Sequence, residues 1–155
     1  MRVSLRGCRG WTLPFALRSE SAPAAPAAMP PPRSVFHGLT AQSAGGVRLP
    51  ISLTATHNGK VWANWDATMN CRPGTFPMTN VTPITKIRPD GTFTRSERYV
   101  IRYKGGLVDH FRVKVTGAFR ADGATGTLEA RVRTTQPGHR FRPCASGKQA
   151  WAARG

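Results

Sequence analysis

The chain has 155 residues, and its 16 Gly and 13 Pro give a turn-rich balance that excludes long helical architecture and suits one small domain. No segment approaches the ~20 apolar residues that a membrane-spanning helix needs. The formal net charge is +16. Eighteen of the 23 Lys and Arg residues and six of the seven acids fall in 35–155, so that region alone carries +12 and attracts polyanions: nucleic acid, anionic glycans or anionic membrane surfaces. Arg outnumbers Lys by 18 to 5, a ratio that GC-rich coding also produces without selection for binding.

Residues 1–34 read as a leader or linker. Arg2, Arg6 and Arg9 form a basic start, Trp11–Leu17 is a short apolar run broken by Pro14, and residues 21–32 are a low-complexity Ala/Pro stretch. These are the three parts of a secretory signal in degenerate form. A disordered Pro-rich linker is the alternative. Leu5-Arg6-Gly7-Cys8 is a poor lipidation box, with Arg6 out of pattern and Cys8 too near Met1.

From Val35 the period changes to two. Val47, Leu49, Ile51, Leu53 and Ala55 share one face of a half-buried strand over 47–55, and Pro50 places it at an edge or with its nitrogen turned away from a partner. Asn58-Gly59 predicts a hairpin turn. Val61–Cys71 returns, with Val61, Ala63, Trp65, Ala67, Met69 and Cys71 on one face. Pro77 and Pro83 interrupt 76–88, leaving a short strand at 84–87. Asp90-Gly91 turns into a strand over 92–103 with Phe93, Tyr99, Ile101 and Tyr103 as core residues. Arg95 and Glu97 fall on the same parity, which calls for a bulge.

Lys104-Gly-Gly106 turns the chain again. In 107–120, Phe111, Val113, Val115, Gly117 and Phe119 face in, while His110, Arg112, Lys114, Thr116 and Arg120 face out. After Asp122-Gly123, Leu128, Ala130 and Val132 face in and Glu129, Arg131 and Arg133 face out. Residues 136–142 form a loop, and 148–154 close the chain with Gln149, Trp151 and Ala153 on one face. About eight short strands with regular turn signals predict an all-β antiparallel sandwich or barrel over 35–155.

Cys71 and Cys144 each lie at the end of a strand-like run before a Gly-containing loop. Read from the residues, they are either a bonded pair in an oxidising compartment or two buried thiols in a reducing one. Cys8 is left over, which suits a removed or disordered leader. His37, His57, His110 and His139 have no metal-ligand spacing, and a zinc site needs three or four converging ligands, so neither a metal nor a cofactor is expected. Asp90 and Asp122 belong to Asp-Gly turns. Asp66 shares a face with Trp62, Asn64 and Thr68; a glycan-directed enzyme there requires a second carboxylate at roughly 5–9.5 Å. No nucleophile elbow, phosphate loop or dinucleotide fingerprint is present, so the reading is non-catalytic. Asn80-Val81-Thr82 matches the glycosylation triplet at close to chance frequency.

Arg112 and Lys114 on one strand and Arg131 and Arg133 on the next are expected side by side across the Asp122-Gly123 hairpin, with Arg98, Arg102 and Lys104 preceding them. Such a face suits an anionic glycan or nucleic acid at the cell surface. It lacks the interleaved aromatics on which single-strand binders stack bases. Solvated sheet-face arginines are the bland alternative.

Six fragments in order are Phe36-His-Gly-Leu-Thr40, Cys71-Arg-Pro-Gly74, Pro89-Asp-Gly-Thr-Phe93, Val115-Thr-Gly-Ala-Phe119, Ala124-Thr-Gly-Thr-Leu128 and Cys144-Ala-Ser-Gly-Lys-Gln-Ala-Trp151-Ala-Ala-Arg154. Over 36–154 they resemble a group of small secreted actinobacterial-type β domains of uncharacterised function. The resemblance implies a Cys71–Cys144 disulfide and an antiparallel β fold, and no activity. The whole reads as a secreted, monomeric, non-catalytic β domain with a structural or binding role. The sharper version is a polyanion-binding module that uses Arg112, Lys114, Arg131 and Arg133.

Overall fold

A computed structural model describes residues 27–71, 74–139 and 143–155; the signal-like part of the leader, including Cys8, lies outside them. Eight antiparallel strands follow one another without a helix among the described residues: β1 (Val35–Ala44), β2 (Val47–Ala55), β3 (Lys60–Asn70), β4 (Thr75–Lys86), β5 (Thr92–Arg102), β6 (Val108–Arg120), β7 (Gly123–Thr135) and β8 (Cys144–Arg154). They form one sheet in the order β4-β3-β2-β1-β8-β7-β6-β5. A further bridge, Asn70 to Ala145, joins β3 to β8 and closes β3-β2-β1-β8 into a small barrel. β4 and β5 are left as the two edges.

The alternation read from the sequence is the alternation of burial. Ile51, Leu53, Val61, Trp65, Val115 and Leu128 are among the fully buried side chains, and they face one shared core. Where strands outrun their neighbours the expectation fails. Val47 and Leu49 were expected inside, but the β2–β3 ladder begins only at Ile51 opposite Trp65. Val47 therefore stands exposed on a β1–β2 hairpin turned by Gly45 and Gly46, both at positive φ. Ile101 and Tyr103 are also exposed: Ile101 lies opposite Asp109 near the end of edge strand β5, and Tyr103 lies past the β5–β6 ladder. Pro50 lies one residue before the β2–β3 ladder starts, so its missing N–H costs that ladder nothing.

Two other expectations are corrected. Residues 75–86 form one continuous strand, β4, with Pro77 and Pro83 inside it. An edge strand tolerates proline because one side has no ladder to lose, and Pro83 also falls where the β3–β4 register shifts. β5 carries no bulge: its pairing with β6 runs without a break from Thr92–Ala118 to Arg102–Val108. Arg95 and Glu97 do share the inward parity, and they are accommodated by pairing with each other, Arg95 Nη2 to Glu97 Oε2 at 2.6 Å, on an edge strand that water reaches.

The two Thr-Gly motifs have a packing cause. Phe93, Gly117, Gly126 and Trp151 are successive cross-strand partners on β5, β6, β7 and β8. The rings of Phe93 and Trp151 lie over the two glycines and stack at a centroid distance of 6.3 Å. A Cβ on Gly117 would stand 2.8 Å from the Trp151 ring, and one on Gly126 would stand closer still to it. Residues 27–34 also touch the domain: Ala27 bridges Arg120, the Ala28 amide donates to the Phe119 carbonyl at 3.2 Å, and the Ser34 carbonyl accepts from Ala55 at 2.9 Å.

Candidate anion-binding face

The outward side chains of β5, β6, β7 and β8 fall into rows set by the ladder register. Arg98, Arg112 and Arg131 are directly opposed across three strands. One row further, Val100, His110 and Arg133 align; on the other side Ser96, Lys114, Glu129 and Lys148 align. The next row is Thr94, Thr116, Thr127 and Ala150, with the Thr116 and Thr127 hydroxyls hydrogen-bonded at 2.8 Å. The sheet face is thus cationic at one end and small and neutral at the other.

The four basic residues singled out from the sequence lie together as expected. Arg112 opposes Arg131, whereas Lys114 opposes Glu129 and Arg133 opposes His110. Arg98 and Lys148 complete the face. Arg98, already named from the sequence among the basic residues preceding them, falls in the central row by the register counted outward from the Gly105-Gly106 turn. Lys148 could not be placed so, because no tight turn fixes the register between β7 and β8, and Ser146 bulges there. Ser146 is buried, and its hydroxyl accepts the Ala130 amide at 2.9 Å.

Glu129 is the one acid on these rows. Its Oε1 accepts from Arg131 Nη2 at 2.7 Å and from Nε at 2.8 Å, so it offsets one charge and leaves Arg98, Arg112 and Arg133 without a carboxylate in the rows. Like charges placed directly opposite on neighbouring strands destabilise a sheet. The face is concave over the arginine rows: a depression of about 500 Å³ is lined by Arg98, Val100, His110, Arg112, Arg131, Arg133 and Pro143 together with the strand backbone. A smaller one of about 270 Å³ lies beside it, over Ser96, Lys114 and Glu129, and shares Arg112 and Arg131 with it.

Asp66 lies on β3, away from these rows, in a shallow groove of about 290 Å³ with His37, Pro50, Ser52, Asn64 and Thr79. Among the described residues no second carboxylate lines it, so the paired-carboxylate chemistry has no partner there. Trp65 is turned into the core, where its Nε1 donates to Thr82 Oγ1 at 2.9 Å. The glycosylation triplet is therefore engaged by the fold: Thr82 is buried against Trp65, and the Asn80 amide donates to the Tyr99 hydroxyl. Among the described residues no group of three or more His, Cys, Asp or Glu is placed to hold a metal ion.

Cys71 and Cys144 are disulfide-bonded. The bond follows directly on the Asn70–Ala145 bridge and covalently fixes the end of β3 to the start of β8. Among the described residues no helix is long and apolar enough to cross a membrane. Comparison with family models, with curated proteins and with solved structures returns no match for this chain.

Proposed function

We propose that this is an extracytoplasmic, non-catalytic binding domain whose β5–β6–β7 face takes an anionic polymer, an anionic glycan in preference to nucleic acid. The observation that carries this reading is the Arg98–Arg112–Arg131 row, three arginines brought into register by three adjacent strands, of which only Arg131 is tied to a carboxylate, that of Glu129. Guanidinium forks match phosphate, sulfate and carboxylate groups bidentately. The glycan preference rests on the rows themselves, which carry Val100, His110 and threonines but no Phe, Tyr or Trp on which a base would stack. The compartment is supported by the Cys71–Cys144 bond, which reducing cytosol would not maintain, and by the likeness of 36–154 to small secreted actinobacterial-type β domains.

Salt-gradient elution from immobilised heparin and from immobilised DNA tests it. The chain is expected to leave heparin well above physiological salt, about 0.15 M, and to leave DNA earlier. Arg112→Ala with Arg131→Ala should elute much sooner, whereas Arg88→Ala with Arg154→Ala, an equal charge change away from these rows, should shift little. Elution of the unaltered chain from both matrices below physiological salt refutes the proposal. Tighter retention on DNA transfers it to nucleic acid.

A further inference from the structure

Within that reading, on which this step rests, we infer that the depression over the arginine rows is a seat for one compact, multiply charged unit bearing phosphate groups or several sulfate esters, and that a longer polymer is held through it. Neighbouring strands are roughly 4.8 Å apart, closer than successive outward residues on one strand at roughly 6.8 Å, so Arg98, Arg112 and Arg131 are rooted at the tightest spacing a sheet allows. An extended chain needs a line of charge. These residues instead gather charge from three strands around one hollow, to which Arg133 adds a fourth guanidinium from the adjoining row. The hollow, about 500 Å³, has the volume of a small-molecule site. Among the described residues no acid lines it, although Glu129, in the neighbouring depression, pairs with Arg131 and offsets one of the four charges.

The floor fits the same occupant. Val100 and Pro143 supply apolar surface beside the guanidinium groups, enough for the carbon skeleton of an ester whose charged oxygens reach the rim. Because the opposed arginines repel one another when the hollow is empty, a bound anion relieves a cost already present in the fold. Occupancy therefore raises thermal stability, and removal of one arginine raises the stability of the free protein while weakening binding.

Calorimetric titration of the full, oxidised chain with tripolyphosphate and with sucrose octasulfate at about 150 mM salt tests this. One saturable site is expected, with displacement of the chain from heparin by the same compounds. Whichever of the two binds more tightly identifies the phosphate or the sulfate ester. Arg112→Ala with Arg131→Ala should lose about tenfold or more in affinity, the equivalent of one charge-assisted hydrogen bond. Arg88→Ala, away from these rows, should stay within about twofold, a change of less than half a kcal/mol. If the double variant fails to fold, Arg133→Glu supplies the same test from the rim. Retention on heparin without saturable binding of either compound means a track with no seat and overturns the inference alone. Loss of heparin retention as well overturns the reading beneath it.

Discussion

Tyr99 shows how one side chain links the two open edges of the sheet. Its ring stacks on Phe111 at 4.8 Å, and its hydroxyl accepts from the Asn80 amide on β4 across the seam. Burial, with smaller contributions from Tyr103 and Glu97, pushes its phenol up to about 12, against the hydrogen bond from Asn80, which acts the other way. The folded value lies above the unfolded value of about 10, so the stabilising effect is complete below pH ~10 and is lost as pH rises through about 12. Tyr103, the chain's other tyrosine, is also raised, by partial burial and then by Asp109. Phenolate absorbance should therefore rise later than in a free tyrosine, with its last step near pH 12 and coincident with a fall in stability. Tyr99→Phe should remove that step and the fall together. Two tyrosines titrating together near pH 10 would mean that Tyr99 is not held as described.

Among the elements, β1 carries the least expected device. Its pairing with β2 slips between Leu39 and Ser43, and the slip frees Gln42 from the ladder. The bulged backbone is met by side chains: Arg48 Nε donates to the Thr40 carbonyl at 2.9 Å, and Thr40 Oγ1 accepts the Gln42 amide at 3.3 Å. The Gln42 carboxamide then behaves as a missing peptide group. Its Oε1 accepts the Thr68 amide at 3.0 Å, while its Nε2 donates to the Thr68 carbonyl at 3.0 Å and to the Ser146 carbonyl at 2.9 Å. It thus stitches β3 to β8 beside their single backbone bridge. Gln42→Ala should cost about 3 kcal/mol, near the upper end for leaving a buried polar group without its partner. Gln42→Glu should cost at least as much, because an oxygen replaces the donor that faces two carbonyls. Urea midpoints measure both, and values within about 0.5 kcal/mol of the parent would show that the closure lies elsewhere. None of this was legible in the sequence, where Gln42 is one polar residue before a Gly-Gly turn. Strands with clean alternation, such as β6 and β7, were legible because one face is core and one is water. β4 was not, since its two prolines obey the rule for an edge and only the completed sheet makes it one. The arginine rows were half legible: the Asp122-Gly123 turn fixes Arg112 beside Arg131, but the open loop after β7 hides Lys148.

At the scale of the molecule, closure depends on one place. The β3–β8 contact is a single backbone bridge, Asn70–Ala145, flanked on one side by Gln42 and on the other by the Cys71–Cys144 bond. The bond spans 73 positions of chain, including all of β4, β5, β6 and β7. Tying so long a loop restricts the unfolded chain far more than the folded one, by about 4 kcal/mol on the chain-entropy account. A domain of this size has only about 5–15 kcal/mol to lose. The native contacts at the junction do not need the bond, since the bridge and the Gln42 hydrogen bonds are made by other atoms. Reduction should therefore lower the urea midpoint sharply while leaving the far-ultraviolet spectrum of the folded protein and its heparin retention unchanged. Cys71→Ser with Cys144→Ser should reproduce the reduced protein. If both thiols are released and the midpoint does not move, the tether contributes nothing to stability, and the argument from the disulfide to an oxidising compartment loses its physical basis. If the spectrum collapses on reduction, the bond is what holds β3 against β8, and the binding face on β5, β6 and β7 should fail with it.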